Sequence, residues 1–391
     1  MADSATIKKE INGWYQDLLG QVESNKHIFD DQFDLECTRQ IIEKVVSKMN
    51  DVYFRAEFVG FENFPKRNNP DRPLIFASNH SGMAFPWDAI VLASEMFKRH
   101  NYGADAMRPL SSVMLSGSSL MNPFMYKDLW KIVGSVDATF LNFETMLHQN
   151  DHNLLIYPEG VSGIGKGFDK KYQLQRFSTS FITLAIKYRT DIVPIYTVNG
   201  EYINPYAYRN HWVNAIVQKI GIPYLPLGIT TPIIFLQPWF FYAALPAKLV
   251  YVLGEAIKPY EMTDKPIEEM SLEEVRSICN LVKDQMQYNL LEAEKKYGKQ
   301  PYKVGELANA VITKTPNFPY ELPFAWPLLF SAFKQHYKGK STRNMKLKLG
   351  WFSIFRILWK NPMDIFFYVP ILGWIPLLIK GFGKRDKNME P

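Results

Sequence analysis

Apolar residues recur along this chain in two rhythms. Short, nearly continuous apolar runs, the pattern of strands buried on both faces, cover Val52 to Phe61, Leu74 to Ala77, Ile132 to Val136, Leu154 to Tyr157, Ile192 to Val198 and Leu249 to Leu253. Between and after them, helical spacing predicts helices over Trp87 to Arg99, Leu174 to Tyr188 and Ser271 to Tyr297. Such alternation predicts α/β layering. The last helix has the clearest ends: Ser271 and Glu274 form a capping box, and an acidic first turn and Lys295-Lys296 suit the helix dipole. Ahead of the first run, Ser4 to Asn50 carries Ile11, Trp14, Leu18 and Leu19, then Ile41, Ile42, Val45 and Val46, at the spacing of two helices that cover the domain. Residues 299–325, with prolines at 301, 316, 319 and 323, read as a linker. The division is therefore an N-terminal helical segment 1–50, an α/β domain 51–298, the linker, and a C-terminal segment 326–391.

Charge changes the picture of that last segment. The chain carries +6, but residues 331–391 hold twelve Lys/Arg against three Asp/Glu, so the rest is net negative. The cations are interleaved with Trp351, Phe352, Phe355, Trp359, Phe366, Phe367 and Trp374, a mixture suited to an anionic bilayer surface rather than to nucleic acid. The longest charge-free run there, Ile365 to Ile379, would reach only ~22 Å as a helix, short of a ~30 Å hydrocarbon core, and Pro370, Gly373 and Pro376 interrupt it. A shallow helix or re-entrant hairpin is expected, ahead of a tilted span. The apolar tract Ile229 to Val252, broken by Pro232, Pro238 and Pro246, is expected to line an acyl-chain channel or touch the membrane, with core loop as the plainer reading. Hydrophobic residues at 47% and aromatics at 15% agree with apolar surface beyond an ordinary core. Cys37 and Cys279, far apart, give neither a disulfide framework nor a metal site. The first six residues lack a charged start and apolar stretch, so the active domain is expected on the cytoplasmic side of a membrane.

Two stretches carry candidate chemistry. Asn79-His80-Ser81-Gly82 ends the run at Leu74 to Ala77, and Asp88 follows. A histidine can take a hydroxyl proton near neutral pH, and a carboxylate within reach can fix its tautomer and stabilise the imidazolium. The plainer reading makes Asp88 a helix-start carboxylate favoured by the dipole. Tyr157-Pro158-Glu159-Gly160 ends a second run and opens a loop with glycines at 160, 163, 165 and 167. Gly160, Gly165 and Lys166 fit a Walker phosphate loop, but Gly167 stands where its Ser/Thr belongs. Gly160-Val161-Ser162-Gly163-Ile164 lacks the final glycine of a serine-hydrolase elbow.

In identity and order, Asn79-His80 with Asp88, Tyr157-Pro158-Glu159-Gly160 and the later Ile192-Val193-Pro194-Ile195 resemble the glycerolipid acyltransferase family of the lysophosphatidic acid acyltransferase type, over roughly residues 55 to 260. The resemblance implies a mixed, mostly parallel sheet flanked by helices, with the motifs at strand carboxyl ends. It implies transfer of a fatty acyl group from a thioester, acyl-CoA or acyl carrier protein, to a hydroxyl of a lysophospholipid or related glycerolipid, with no further cofactor. His80 would be the base, Asp88 its orienting partner, and Glu159 with Gly160 the acceptor loop; Asn79, Ser81, Gly82 and Ser162 complete the binding positions. Three departures stand out. The aspartate comes eight positions after the histidine where the family usually has five, so residues among Gly82 to Pro86 must loop out. Ser162 occupies an arginine position, and near Gly134 to Thr139 the middle motif's glycine appears without its arginine. Lys166 and Arg176 are the nearest cations that could substitute. Two other readings stay open: a lipid-binding protein in which the wider interval has broken the pair, and an acyltransferase with an amine acceptor.

Overall fold

The computed structural model describes residues 20–83, 85–113, 115, 128–218, 224–314, 318–336 and 349–376. Seven strands form one sheet: β1 Glu57–Val59, β2 Ile75–Ser78, β3 Met107–Ser111, β4 Val136–Asp137, β5 Asn153–Ile156, β6 Ile192–Val198 and β7 Val250–Leu253. Their order is β1-β7-β6-β2-β5-β3-β4, and every pairing is parallel except β6 with β7. The described helices used below are α1 Leu35–Ile41, α2 Trp87–Arg99, α3 Val161–Ile164, α4 Ser180–Tyr188, α5 Leu272–Tyr297, α6 Val304–Thr313, α7 Trp326–His336 and α8 Ser353–Lys360. The architecture is thus the expected mixed, mostly parallel sheet flanked by helices.

Strands β2, β5 and β6 are buried along their whole length, so they read as unbroken apolar runs rather than alternating ones. One core holds Phe54, Phe76, Trp87 and Trp326; the other is formed where α4 and α5 close over Ile75, Ile192 and Tyr196. On α5, Val275, Ile278, Cys279, Val282, Met286, Leu290 and Ala293 are buried at three- and four-residue steps, the stripe that faces the sheet. Ser271 Oγ accepts the Glu274 N–H at 3.2 Å and Glu274 Oε2 accepts the Ser271 N–H at 2.8 Å, so the capping box is present.

Several boundaries differ from the sequence reading, each for a local reason. Helical turns continue from α1 through Ile42–Val46, Ser47–Met49 and Asn50–Phe54, two of them with the wider π spacing, and stop at Arg55 in the left-handed region. Val52, Tyr53 and Phe54 look like strand residues because all three are buried, and tertiary packing overrides their propensity. Strand β1 keeps only Glu57–Val59 of that run. Ile132 ends the helical turn Leu129–Ile132, and Gly134 at φ +93° turns the chain before β4. Strand β3 is missing from the sequence reading because Arg108 and Pro109 interrupt its apolar pattern. The helix expected from Leu174 begins at Ser180, since the N–H groups of Tyr172, Leu174 and Gln175 are taken by the side chains of Glu201, Gln287 and Glu159.

The stretch read as a linker contains α6, tied down by Glu306 on Lys248 at 2.9 Å and by Tyr302 on the Tyr202 carbonyl at 3.2 Å. Beyond it α7 packs into the main core, with the Trp326 and Trp87 rings 4.7 Å apart. The tract from Ile229 breaks into the short turns Thr231–Leu236 and Pro238–Phe241 before β7, as its prolines require. No described helix is long and apolar enough to cross a membrane. Ile11, Trp14, Leu18 and Leu19, and the run's last residues 377–379, lie outside the described residues.

Candidate active site

The two motifs meet because β2 and β5 are parallel neighbours, with Ala77 opposite Ile156. Asn79-His80 and Tyr157-Pro158-Glu159 therefore leave the sheet side by side at its carboxyl edge, where open α/β sheets bind ligands. Asn79 fixes the exit of β2: its Oδ1 accepts the Thr197 N–H at 2.7 Å and its Nδ2 donates to the Thr197 carbonyl at 3.0 Å, both on β6.

The eight-residue interval is absorbed by a tight loop. Gly82 at φ +113° and Met83 at φ +54° turn the chain back, the Met83 N–H donates to the Ile164 carbonyl at 3.1 Å, and Met83 and Phe85 are buried. Helix α2 then starts at Trp87, placing Asp88 in its first turn, where the dipole favours a carboxylate. His80 Nδ1 lies 2.8 Å from Asp88 Oδ2. The same oxygen accepts the Ser81 N–H at 3.0 Å, Asp88 Oδ1 accepts the Ala89 N–H at 2.8 Å, and the Tyr251 hydroxyl donates to the Asp88 carbonyl at 2.7 Å. The Asp88 side chain is fully buried while His80 keeps 12% of its side chain accessible. A carboxylate fixed from several sides and an imidazole with one open edge form the arrangement of a base and its orienter.

Glu159 belongs to the support of this pair rather than to an open surface. Its Oε1 accepts the His80 N–H at 3.1 Å and its Oε2 the Gln175 N–H at 2.6 Å, so both oxygens are committed to the backbone. Burial pushes its carboxyl above the usual range, against Lys166 and the two N–H bonds. The Tyr157 ring lies against the His80 ring at 4.2 Å between centroids, and its hydroxyl is buried without a hydrogen-bond partner among the described residues. Gly160, at φ +56° and ψ −146°, holds a conformation that only glycine adopts easily and starts α3 beside the pair.

A cavity of about 460 Å³ opens from His80 into the molecule. Tyr157 and Gly160 stand at the same end; Val45, Met49, Phe85, Ile90, Phe97 and Phe330 are among its apolar walls. Predominantly apolar walls with a few polar groups, His80 and several hydroxyls here, are the usual form of a lipid or small-molecule site. Among the described residues no group of three His, Cys, Asp or Glu side chains is placed to hold a metal ion.

Of the sequence candidates, His80, Asp88, Glu159 and Gly160 come together, with Gly82 shaping the loop beneath them. The other candidates are not among the described residues that line the cavity. Asn79 and Ser81 are buried; Asn79 is spent on Thr197, and Ser81 does not line the cavity. Ser162 is exposed and outside the cavity lining. Lys166 is buried and paired with Glu201 at 3.2 Å, and Arg176 faces a separate cleft against α5 with Glu273 and Arg276. The sequence reading missed Thr197 and Gln175, whose backbone groups meet Asn79 and Glu159, and Glu201 and Tyr251, whose side chains reach Lys166 and the Asp88 carbonyl from distant positions in the sequence.

Residues 55–198 match the family model Acyltransferase. An uncharacterized protein of Mycobacterium tuberculosis is 27% identical over 266 residues, 67% of this chain and 68% of that protein, and one of Mycobacterium leprae is 27% identical over 242 residues, 59% of each. The crystal structure of the 1-acyl-sn-glycerophosphate (LPA) acyltransferase PlsC from Thermotoga maritima aligns at 15% identity and a TM-score of 0.37, covering 65% of this chain and 81% of that one. The match to the model Acyltransferase over residues 55–198 thus agrees with the family that the motifs resemble.

Proposed function

We propose that this protein transfers a fatty acyl group from a thioester of coenzyme A or acyl carrier protein to a hydroxyl of a glycerolipid acceptor, the lysophospholipids expected from the sequence being one such class. The observation that carries this is the 2.8 Å contact of His80 with the buried Asp88 in the wall of an apolar cavity. Asp88 holds the Nδ1 proton, which leaves Nε2 as the acceptor. The acceptor hydroxyl gives its proton to Nε2 as its oxygen attacks the thioester carbonyl. An oxygen–carbon bond forms, the carbon–sulfur bond breaks, and the thiol leaves with the proton returned by the imidazolium. No acyl-enzyme is needed. For the oxyanion, the N–H groups of Gly160, Gly163 and Gly165 already donate to backbone carbonyls, whereas the first-turn N–H of α3 at Val161, which lines the cavity, has no intrahelical acceptor.

The cavity suits a hydrocarbon chain, and the basic aromatic C-terminal segment suits a protein that takes its acceptor from a bilayer. The broken-pair reading loses its motive, because the wider interval still delivers Asp88 to His80. An amine acceptor would use the same base and differ in the bond made. The test is incubation of the purified chain with labelled acyl thioesters and glycerolipid acceptors. A new O-acyl ester, identified by mass, is expected; an amide product would favour the amine reading, and no acylated product would contradict both.

A further inference from the structure

Two buried carboxylates pin the short segment that runs past the site. Glu201 Oε1 accepts the Tyr172 N–H at 3.0 Å and Glu159 Oε2 accepts the Gln175 N–H at 2.6 Å, while Glu159 Oε1 accepts the N–H of His80 at 3.1 Å. Three residues, at most about 11 Å of chain, separate the two pinned N–H groups. Lys166 lies in the same corner. Its ammonium is buried 3.2 Å from Glu201 Oε1, and it makes no hydrogen bond among the described residues, so the contact is one of charge rather than of direction. The Lys166 N–H meets the Gly163 carbonyl at 3.4 Å, and the Glu159 side chain packs against Gly163, where an added Cβ would stand 2.6 Å from Glu159 Cβ and 3.1 Å from its Oε1. From across that turn the Lys166 charge opposes the burial that raises the Glu159 carboxyl.

The charge of Glu159 matters because both its oxygens are acceptors. A protonated carboxyl carries an O–H on one of them, and that donor would face the N–H of His80 or of Gln175, so one of the two bonds would be lost. The bond on Oε1 fixes the backbone of the residue whose ring must meet Asp88 at 2.8 Å. Other charged or titratable groups bear on the corner. Asp88 beside His80, and Glu294 of α5 near Glu201, add negative charge; His80 acts on Glu159 in the same sense as Lys166; Tyr172 and Lys171 lie toward Glu201 and Glu294.

We propose that Lys166 is a positioning residue: buried beside Glu201 and Glu159, its ammonium holds Glu159 as a carboxylate on the N–H groups of His80 and Gln175. This deepens the acyl-transfer reading and rests on it for the reaction served, whereas the charge of Glu159 is read without turnover.

The experiment compares the full chain with Lys166→Met, Glu159→Gln and the double variant. Infrared spectra across pH follow the carbonyl band of protonated carboxyls, and the component lost with Glu159→Gln belongs to Glu159. In Lys166→Met that component is expected to develop at a pH higher than in the parent by at least about one pH unit. Acyl transfer from labelled palmitoyl-coenzyme A to monoacylglycerol or lysophosphatidate in phosphatidylcholine vesicles is measured over the same range. The kcat/KM of Lys166→Met is expected to fall at least about ten-fold on the acid side of the profile and to approach the parent value as pH rises. Thermal unfolding confirms that the variant is folded, and Lys166→Gln replaces it with the same expectations if it is not. A Glu159 band at the parent pH, or a loss of transfer equal at every pH, overturns the assignment. A parent chain that transfers no acyl group overturns the acyl-transfer reading, and the infrared titration then supports or overturns the role of Lys166 on its own.

Discussion

His80 and Asp88 were legible in the sequence as a pair of residue types, but not as a contact. Three residues more than the usual spacing separate them, and only the loop through Gly82 and Met83, followed by the start of α2 at Trp87, shows how the interval closes. The role of Glu159 was less legible, because its partners are backbone N–H groups whose positions depend on the register of β2 and β5 and on the course of residues 172 to 178. Tyr157 offers a test at this scale. Its ring orders the imidazole, whereas its buried hydroxyl has no hydrogen-bond partner among the described residues, and burial pushes that phenol well above its ordinary range. Removing an unsatisfied hydroxyl is neutral or stabilising, so Tyr157→Phe should raise stability by up to about 1 kcal/mol in chemical denaturation and keep turnover near that of the parent chain. A loss of stability, or a large loss of turnover, would show that the hydroxyl has a function this account does not give it.

Elements with a strong period were read correctly: β6 runs Ile192–Val198 and α2 runs Trp87–Arg99, as the pattern indicates. Elements whose backbone is held by distant side chains were not. The segment before α4 has helical composition, yet three of its N–H groups end on Glu201, Gln287 and Glu159, and this extended run is what delivers Gln175 to the site. Strand β3 hides behind Pro109 and the buried Arg108. The α5 cap tests the opposite case, in which local sequence decides. Ser271→Ala removes the acceptor of the Glu274 N–H and should cost about 1 kcal/mol in chemical denaturation, with acyl transfer unchanged. No change in the denaturation midpoint would mean that the buried stripe of α5 alone sets its start.

Taking the molecule as one body, the described residues of the C-terminal segment divide between core and surface. Trp326 and Ile357 are buried with Trp87, while Phe352, Phe355 and Trp359, 70 to 88% exposed, share the outward face of α8 beside Arg356 and Lys360. Three aromatics facing outward with cations alongside are the composition of an interfacial helix. Replacing all three by serine should weaken co-sedimentation with anionic vesicles several-fold and leave the unfolding midpoint nearly unchanged. Equal sedimentation would contradict an interfacial role for α8. Acid should weaken the fold through its histidines. Burial holds His148 and His152 down to about 4, so between about 6.5 and 4 the unfolded chain binds protons that the folded chain refuses, and stability falls as pH falls. Glu159 and Glu294, raised by burial, work in the opposite sense, but His100, also held down by burial, and Glu274 and Glu306, held low by their lysine partners, add to the loss in acid. The thermal midpoint should drop between pH 6.5 and 4.5; a constant midpoint would mean that these imidazoles are solvated.

The central claim is that one imidazole, held by Asp88 at the mouth of an apolar cavity, removes the acceptor proton. The most direct measurement compares the parent chain with His80→Ala in acyl transfer from a labelled thioester to a glycerolipid, with the thermal unfolding of both recorded alongside. The account predicts a loss of product by a factor of at least about a hundred in a variant that unfolds at the parent temperature. Product formed at the parent rate by the folded variant would contradict it.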